Sequence, residues 1–220
     1  SQNYTPQEMA TRQMYLSQPD EFLLWYFKRF ASYRQLKPNT VHHWLKDKRL
    51  VTQNIDGLDS KAGNFAYVPI HGRLDKVTVL YEQGPDVPLI DAPWEDLAVA
   101  CDDLDDSLRL TPILLDAFKI SKTTLTPEPD VSLKPFVLLF DEYYTDLYRM
   151  SEAEDWMHDA RRVVFMGTSF SVNITSIALC TALTNEAAIE VVDPQPIDLG
   201  YERIEYHRMT AADYVSDRSG

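Results

Sequence analysis

Three mainly apolar runs alternate with two helical patterns between residues 136 and 193, and this alternation restricts the fold more than any other feature of the chain. "PFVLLF" is bounded by Pro135 and Asp141, "RVVFMGTSF" opens into a Gly-Thr-Ser turn, and "AAIEVVDPQP" closes on Pro194 and Pro196. Apolar runs of this length without polar alternation suit strands buried on both faces, as in a parallel sheet. "DLYRMSEAEDWMHDA" and "NITSIALCTALTN" read as the connecting helices. The order strand–helix–strand–helix–strand predicts an α/β fold with a parallel sheet and helices on both faces. Ligands of such sheets bind beyond the carboxyl ends of the strands.

The rest of the chain supplies further elements. Residues 6–35 read as helical, with Ser17 at a helix start, Pro19 in its first turn and Asp20 and Glu21 following. "LVTQNI" reads as a strand running into a polar loop, and "AYVPIHGRL" as a short strand ending at His71-Gly72. From Leu74 to about Pro135 the sequence is rich in Asp and Pro and has the character of an insertion with one or two short helices. Polar groups follow each apolar strand: Gln53, Asn54 and Asp56; His71; Thr168 and Ser169; Asp193. Their common position at strand ends predicts one crevice.

Charge narrows the partners. The formal net charge is −13, the opposite of what counterion release from nucleic acid requires, so no nucleic-acid partner is expected. No apolar run approaches the roughly 18 residues of a membrane span, and no leader pattern is visible, so no membrane partner and a cytoplasmic location are expected. The two cysteines, Cys101 and Cys180, stand far apart and outside any CxxC, which excludes a four-thiolate zinc site built by this chain.

"TQNIDGLDSKAG", followed by "HG" at His71-Gly72, resembles the signature of the sirtuins, the NAD-dependent protein lysine deacylases, whose pattern is TQNIDGLHxxAG and then HG. "KPNTVHHWL" resembles the family's PNxxHxxL, "PFVLLFDE" its VVFFGE strand, and "GTSFSV" its GTSLxV loop, all in the family's order. The resemblance covers nearly the whole chain outside 74–134. It implies a Rossmann-like NAD-binding domain over 38–73 and 135–220. A small discontinuous helical domain would then comprise 1–37 and 74–134.

The resemblance also implies roles. An acyl-lysine peptide or protein would attack C1′ of the nicotinamide ribose of NAD through its acyl oxygen, and His71 would be the base that then deprotonates a ribose hydroxyl. An imidazole suits that work because its ordinary pKa lies near neutrality. Asn54 would hold the ribose or a water near C1′, Asp56 would accept from the nicotinamide carboxamide, and Gln53 would reach the ribose hydroxyls. Gly167, Thr168 and Ser169 would hold phosphate or ribose, and Asp193 the adenosine ribose. Tyr26 and Arg29, three residues apart on one helix face, match the YxxR with which some sirtuins bind the carboxylate of succinyl- or malonyl-lysine; the alternative is that these aromatics are core. Val137 and Phe140 lie on the strand that would pair with the substrate backbone.

Departures from the pattern matter as much. The glycine-rich opening motif GAGxSxxSGIPDFR is not among these residues, and "SQNYTPQEM" looks like sequence just beyond it. The interval that usually carries two CxxC pairs holds only Cys101, so a zinc-free module is expected, packed by Leu89, Ile90, Trp94, Leu108, Leu110, Ile113 and Leu114. Asp59 stands for the His of "GLH", and Asp141 for the Gly of "FGE", where its charge would favour basic peptide flanks. A divergent, zinc-free deacylase releasing nicotinamide and O-acyl-ADP-ribose is the leading expectation. The alternatives are an NAD hydrolase or ADP-ribosyltransferase on the same scaffold, and a non-catalytic NAD-linked binding module.

Overall fold

The computed structural model describes residues 4–100, 103 and 105–218. These fall into two units: Ser1–Lys37, Val51–Leu58 and Val68–Met150 form the first, and Pro38–Leu50, Asp59–Tyr67 and Ser151–Gly220 the second. The sequence grouped 38–73 with 135–220; by packing, 51–58 and 68–150 go with the N-terminal helices.

The first unit is organised by the Pro19–Tyr33 helix, which buries Phe22, Leu23, Tyr26 and Phe27 along one stripe. Pro19 sits in its first turn with Asp20 and Glu21, but Ser17 does not start it. Ser17 ends the preceding Arg12–Ser17 helix and bonds back to the Gln13 carbonyl at 2.7 Å, so the junction residue is Gln18, without a side-chain cap.

Two short strands, β1 (Val51–Thr52) and β2 (Val68–Pro69), pair in parallel. A second sheet has the order β4-β3-β5, all antiparallel: β3 is Gly72–Val79, β4 Ile90–Asp91 and β5 Leu133–Val137. The strand expected to lead the parallel sheet is therefore an antiparallel partner of β3. Its five residues are all buried, and a run buried on both faces carries no mark of strand direction. The expected "insertion" thus contains the central strand of this sheet.

The helices Trp94–Ala100 and Ser107–Ala117 complete the unit's core. Trp94 is fully buried, donates Nε1–H to the Leu74 carbonyl at 2.7 Å and packs on Phe118 with ring centroids 4.7 Å apart. Leu110 and Leu114 are buried, and Ile113 packs against the same core. Leu89, Ile90 and Leu108 do not join them. Ile90 lies on edge strand β4, and Leu108 projects from the outer face of its helix, 91% exposed. Cys101 lies outside the described residues.

The second unit holds the parallel sheet, order β6-β7-β8: β6 Arg162–Met166, β7 Ala188–Val192 and β8 Ile204–His207. The Asn173–Thr184 helix connects β6 to β7, as the alternation predicts. Strand β8 and the Ala211–Arg218 helix were not legible in the sequence, because both are short and largely polar. Tyr214 and Val215 of that helix bury against Val192, with Trp44 and Val41 of the Thr40–Leu45 helix packed on them. Among the described residues no helix is long and apolar enough to cross a membrane.

Candidate active site

In the first unit, the loop after β1 is pinned on both sides. Ile70 N–H donates to the Thr52 carbonyl at 3.0 Å and Leu74 N–H to the Ile55 carbonyl at 2.8 Å. Asn54 N–H bonds Thr52 Oγ1 at 3.2 Å, and Asp56 Oδ1 accepts from Leu58 N–H at 2.9 Å. These local bonds hold Gln53 and Asp56 half-buried and leave Asn54 exposed. Polar residues occupy this stretch because the chain is turning, and short amide and carboxylate side chains can bond their own backbone there.

His71 stands between β2 and β3. The chain turns at Gly72, whose φ is +83°, and a Cβ there would lie 2.0 Å from the Phe136 carbonyl oxygen. Only glycine permits this close approach, and it delivers the His71 side chain to the loop that carries Gln53. The imidazole is half-buried; burial holds it below its ordinary pKa, against an opposing hydrogen bond at the Gln53 backbone. Nε2 lies 2.9 Å from the Tyr144 hydroxyl, and the two rings stack at 22°. Tyr144 was not foreseen; the only signal was a pair of tyrosines, Tyr143-Tyr144, in the loop after the β5 region.

Buried Lys134 was also missed. Its Nζ donates to the Val137 carbonyl at 2.9 Å and to Glu142 Oε2 at 3.1 Å, while Arg12 takes Glu142 Oε1 at 3.1 Å. Burial lowers the Lys134 pKa, and Glu142 opposes the shift. Val137 is buried and faces Gly72 in register, whereas Phe140 is 64% exposed with its N–H on the Ala10 carbonyl. Tyr26 is 1% exposed among Phe22 and Trp25. Arg29 stacks its guanidinium over Trp25 at 3.9 Å, and its buried Nε has no acceptor among the described residues.

In the second unit, the other expected residues share one sheet edge. Gly167 follows β6, with φ +58° and open space around it, and donates its N–H to the Val192 carbonyl at 3.1 Å. Asp193 follows β7, its N–H on the His207 carbonyl at 3.2 Å and its Oδ1 accepting from Gln195 N–H at 2.7 Å. Thr168 Oγ1 accepts from Phe170 N–H, and Ser169 pairs with Ser171 at 2.7 Å. Neither caps the helix, which begins at Asn173. Thus Gly167, Thr168, Ser169 and Asp193 all lie at the carboxyl ends of adjacent parallel strands.

Behind that edge, Glu190 accepts from the Tyr214 hydroxyl at 2.7 Å, His207 Nε2 at 2.9 Å, Arg218 at 3.0 Å and Arg162 at 3.3 Å. Glu190, Glu205 and His207 are the one group of the described residues spaced to share a metal ion, but these four donors already occupy the Glu190 carboxylate.

Solved structures share this architecture at a TM-score of 0.72 for a Sir2 homolog–NAD complex (20% identity, 98% of this chain and 76% of that one). Sir2Tm bound to a propionylated peptide gives 0.71 (16% identity, 98% and 84%). The fold is therefore the Rossmann-like α/β fold of those proteins. The Sir2 family model matches residues 1–174, and the chain belongs to the Sir2 family. A Thermus thermophilus NAD-dependent protein deacylase is 35% identical over 83 residues, which are 33% of each chain. The Dictyostelium discoideum NAD-dependent deacetylase sir2E is 27% identical over 194 residues, 80% of this chain and 53% of that one. The chain thus spans a third to about half the length of these relatives.

Proposed function

We propose that this chain carries the base and the ribose-binding loop of an NAD-dependent protein lysine deacylase. The observation that carries the reading is His71 held at the β2–β3 turn, with Gln53, Asn54 and Asp56 on the pinned loop, in a chain of the Sir2 family. Relatives of this chain are named for that activity. NAD supplies a cleavable bond between nicotinamide and ribose. His71, neutral near pH 7, takes the ribose hydroxyl proton. Exposed Asn54 orients the ribose, Gln53 binds its hydroxyls, and Asp56, with Oδ1 on Leu58, turns Oδ2 to the carboxamide. Gly167, Thr168, Ser169 and Asp193 take the adenosine side, where open space at Gly167 leaves the backbone approachable.

The protein partner in this reading is an acyl-lysine peptide lying along the Val137–Phe140 segment. The unpaired Arg29 Nε supports an acyl group that bears a carboxylate, while Tyr26 is enclosed in the core against Trp25, on which Arg29 stacks. The reading includes a cytoplasmic location, which the free, exposed Cys180 suits.

The test is to incubate the full-length protein with NAD and acetyl- or succinyl-lysine peptides and to measure nicotinamide and deacylated peptide together. Both products, lost in His71→Ala, are the expected result. Nicotinamide without deacylated peptide would make it an NAD hydrolase or ADP-ribosyltransferase, and neither product a binding module.

A further inference from the structure

His71 and Tyr144 meet with more order than packing requires. Nε2 and the hydroxyl are 2.9 Å apart, and the rings lie nearly parallel with centroids 5.9 Å apart. The chain brings them together through β5: the Leu138 N–H donates to the His71 carbonyl at 3.0 Å, and Glu142 N–H to the Leu139 carbonyl at 2.9 Å, folding the loop that bears Tyr144 back over His71.

The direction of the hydrogen bond follows from the other side of the ring. The Gln53 backbone raises the imidazole's affinity for a proton, as only an acceptor does, so the Gln53 carbonyl faces a ring N–H. Nε2 faces Tyr144, so that N–H is Nδ1, and in the neutral ring Nε2 carries the lone pair. The Tyr144 O–H then donates to Nε2. The lone pair with which a base would work is already occupied by a hydroxyl.

We propose that Tyr144 relays the proton to His71, standing between Nε2 and the substrate hydroxyl. This rests on the deacylase reading and adds a residue to it. The O–H bond of the substrate hydroxyl breaks and its proton passes to the Tyr144 oxygen. The original Tyr144 O–H bond breaks as its proton passes to Nε2, where an N–H bond forms. Tyrosine ends neutral, His71 ends as imidazolium, and the electron pair stays on the substrate oxygen. Because the tyrosine is never left charged, no tyrosinate has to form in the transfer.

The experiment compares wild type, Tyr144→Phe and Tyr144→Leu in the full-length protein, with NAD and an acyl-lysine peptide in a single turnover. Tyr144→Phe keeps the stacked ring and removes only the hydroxyl. The relay predicts that it loses about 10²-fold in the rate of deacylated peptide, with nicotinamide release and peptide KM unchanged. It also predicts a solvent isotope effect in wild type that fits two protons in flight and falls to one in Tyr144→Phe. Equal loss of both products, or an unchanged or faster rate in Tyr144→Phe, would overturn the relay. ¹⁵N shifts of the His71 ring report the bond without any turnover: wild type should show Nδ1–H with Nε2 hydrogen-bonded, and both variants should lose the Nε2 shift. An unchanged Nε2 shift in Tyr144→Phe also overturns it. If wild type forms no nicotinamide while the ring shifts behave as stated, the deacylase reading has failed and the His71–Tyr144 bond stands as structure alone, overturning the relay.

Discussion

Asp141 accepts a hydrogen bond from the backbone N–H of Arg12 at 2.5 Å, and its other oxygen takes the N–H of Gln13 at 3.0 Å. The carboxylate closes the N-terminus of the Arg12–Ser17 helix from a distant part of the chain, where the helix dipole favours negative charge. The sequence suggested that this charge would lie near a bound peptide; in the structure both its oxygens are held by a helix N-terminus. Asp141→Ala should therefore lower stability by about 1 kcal/mol in urea unfolding. Asp141→Asn should leave the preference between acidic and basic peptide flanks unchanged, and a changed preference would return the residue to the peptide site.

Gly72 admits no side chain. At φ +83°, with the Phe136 carbonyl 2.0 Å from any Cβ, Gly72→Ala must shift β3 against β5. The backbone region alone costs about 1–3 kcal/mol for a residue with a side chain. Because His71 is its neighbour, the activity should fall with it, and hydrogen exchange should show β3 amides losing protection.

The His71 pKa lies below its ordinary value of 6.5, with burial as the leading cause. Folding therefore prefers the neutral ring. Its full contribution is present above pH 6.5, and it is lost as acidification protonates the unfolded chain first and then the folded ring. Wild type should lose stability below pH 6.5 relative to His71→Gln, measured by urea unfolding at paired pH values. The acid limb of deacylation should fall below pH 6.5 for the same reason; a limb above it contradicts the buried, neutral base.

Glu190 carries the opposite lesson for the second unit. Burial pushes its carboxyl up, but hydrogen bonds from Tyr214 and His207 and the charges of Arg218 and Arg162 outweigh burial and hold it below 4.5. Its contribution is complete above pH 4.5 and is lost as the pH falls through the depressed value. Glu190→Gln should cost about 1–3 kcal/mol at pH 7, since Tyr214 and His207 keep a weaker acceptor and two arginines lose their charge partner. The difference from wild type should vanish in strong acid.

Part of this protein was legible from its residues. The runs at 162–166 and 188–192, joined by an apolar helix, pair as the parallel strands that this order predicts. The ordered signature around Gln53, Asn54, Asp56 and His71 marked the family before any coordinates, because the order and spacing of those residues, rather than their types, set them apart from a plain turn. Tertiary structure decided the rest. Five buried residues at 133–137 look the same in either strand direction, and only the neighbour β3 made them antiparallel. An aromatic stripe at helical spacing did not say whether Tyr26 would line a pocket or fill the core; packing against Phe22 and Trp25 enclosed it. Asp141 read as a charge beside the peptide and Tyr144 as an ordinary loop residue. What they do depends on partners far away in sequence, Arg12 and His71, and periodicity carries no information about which distant group a polar side chain will meet.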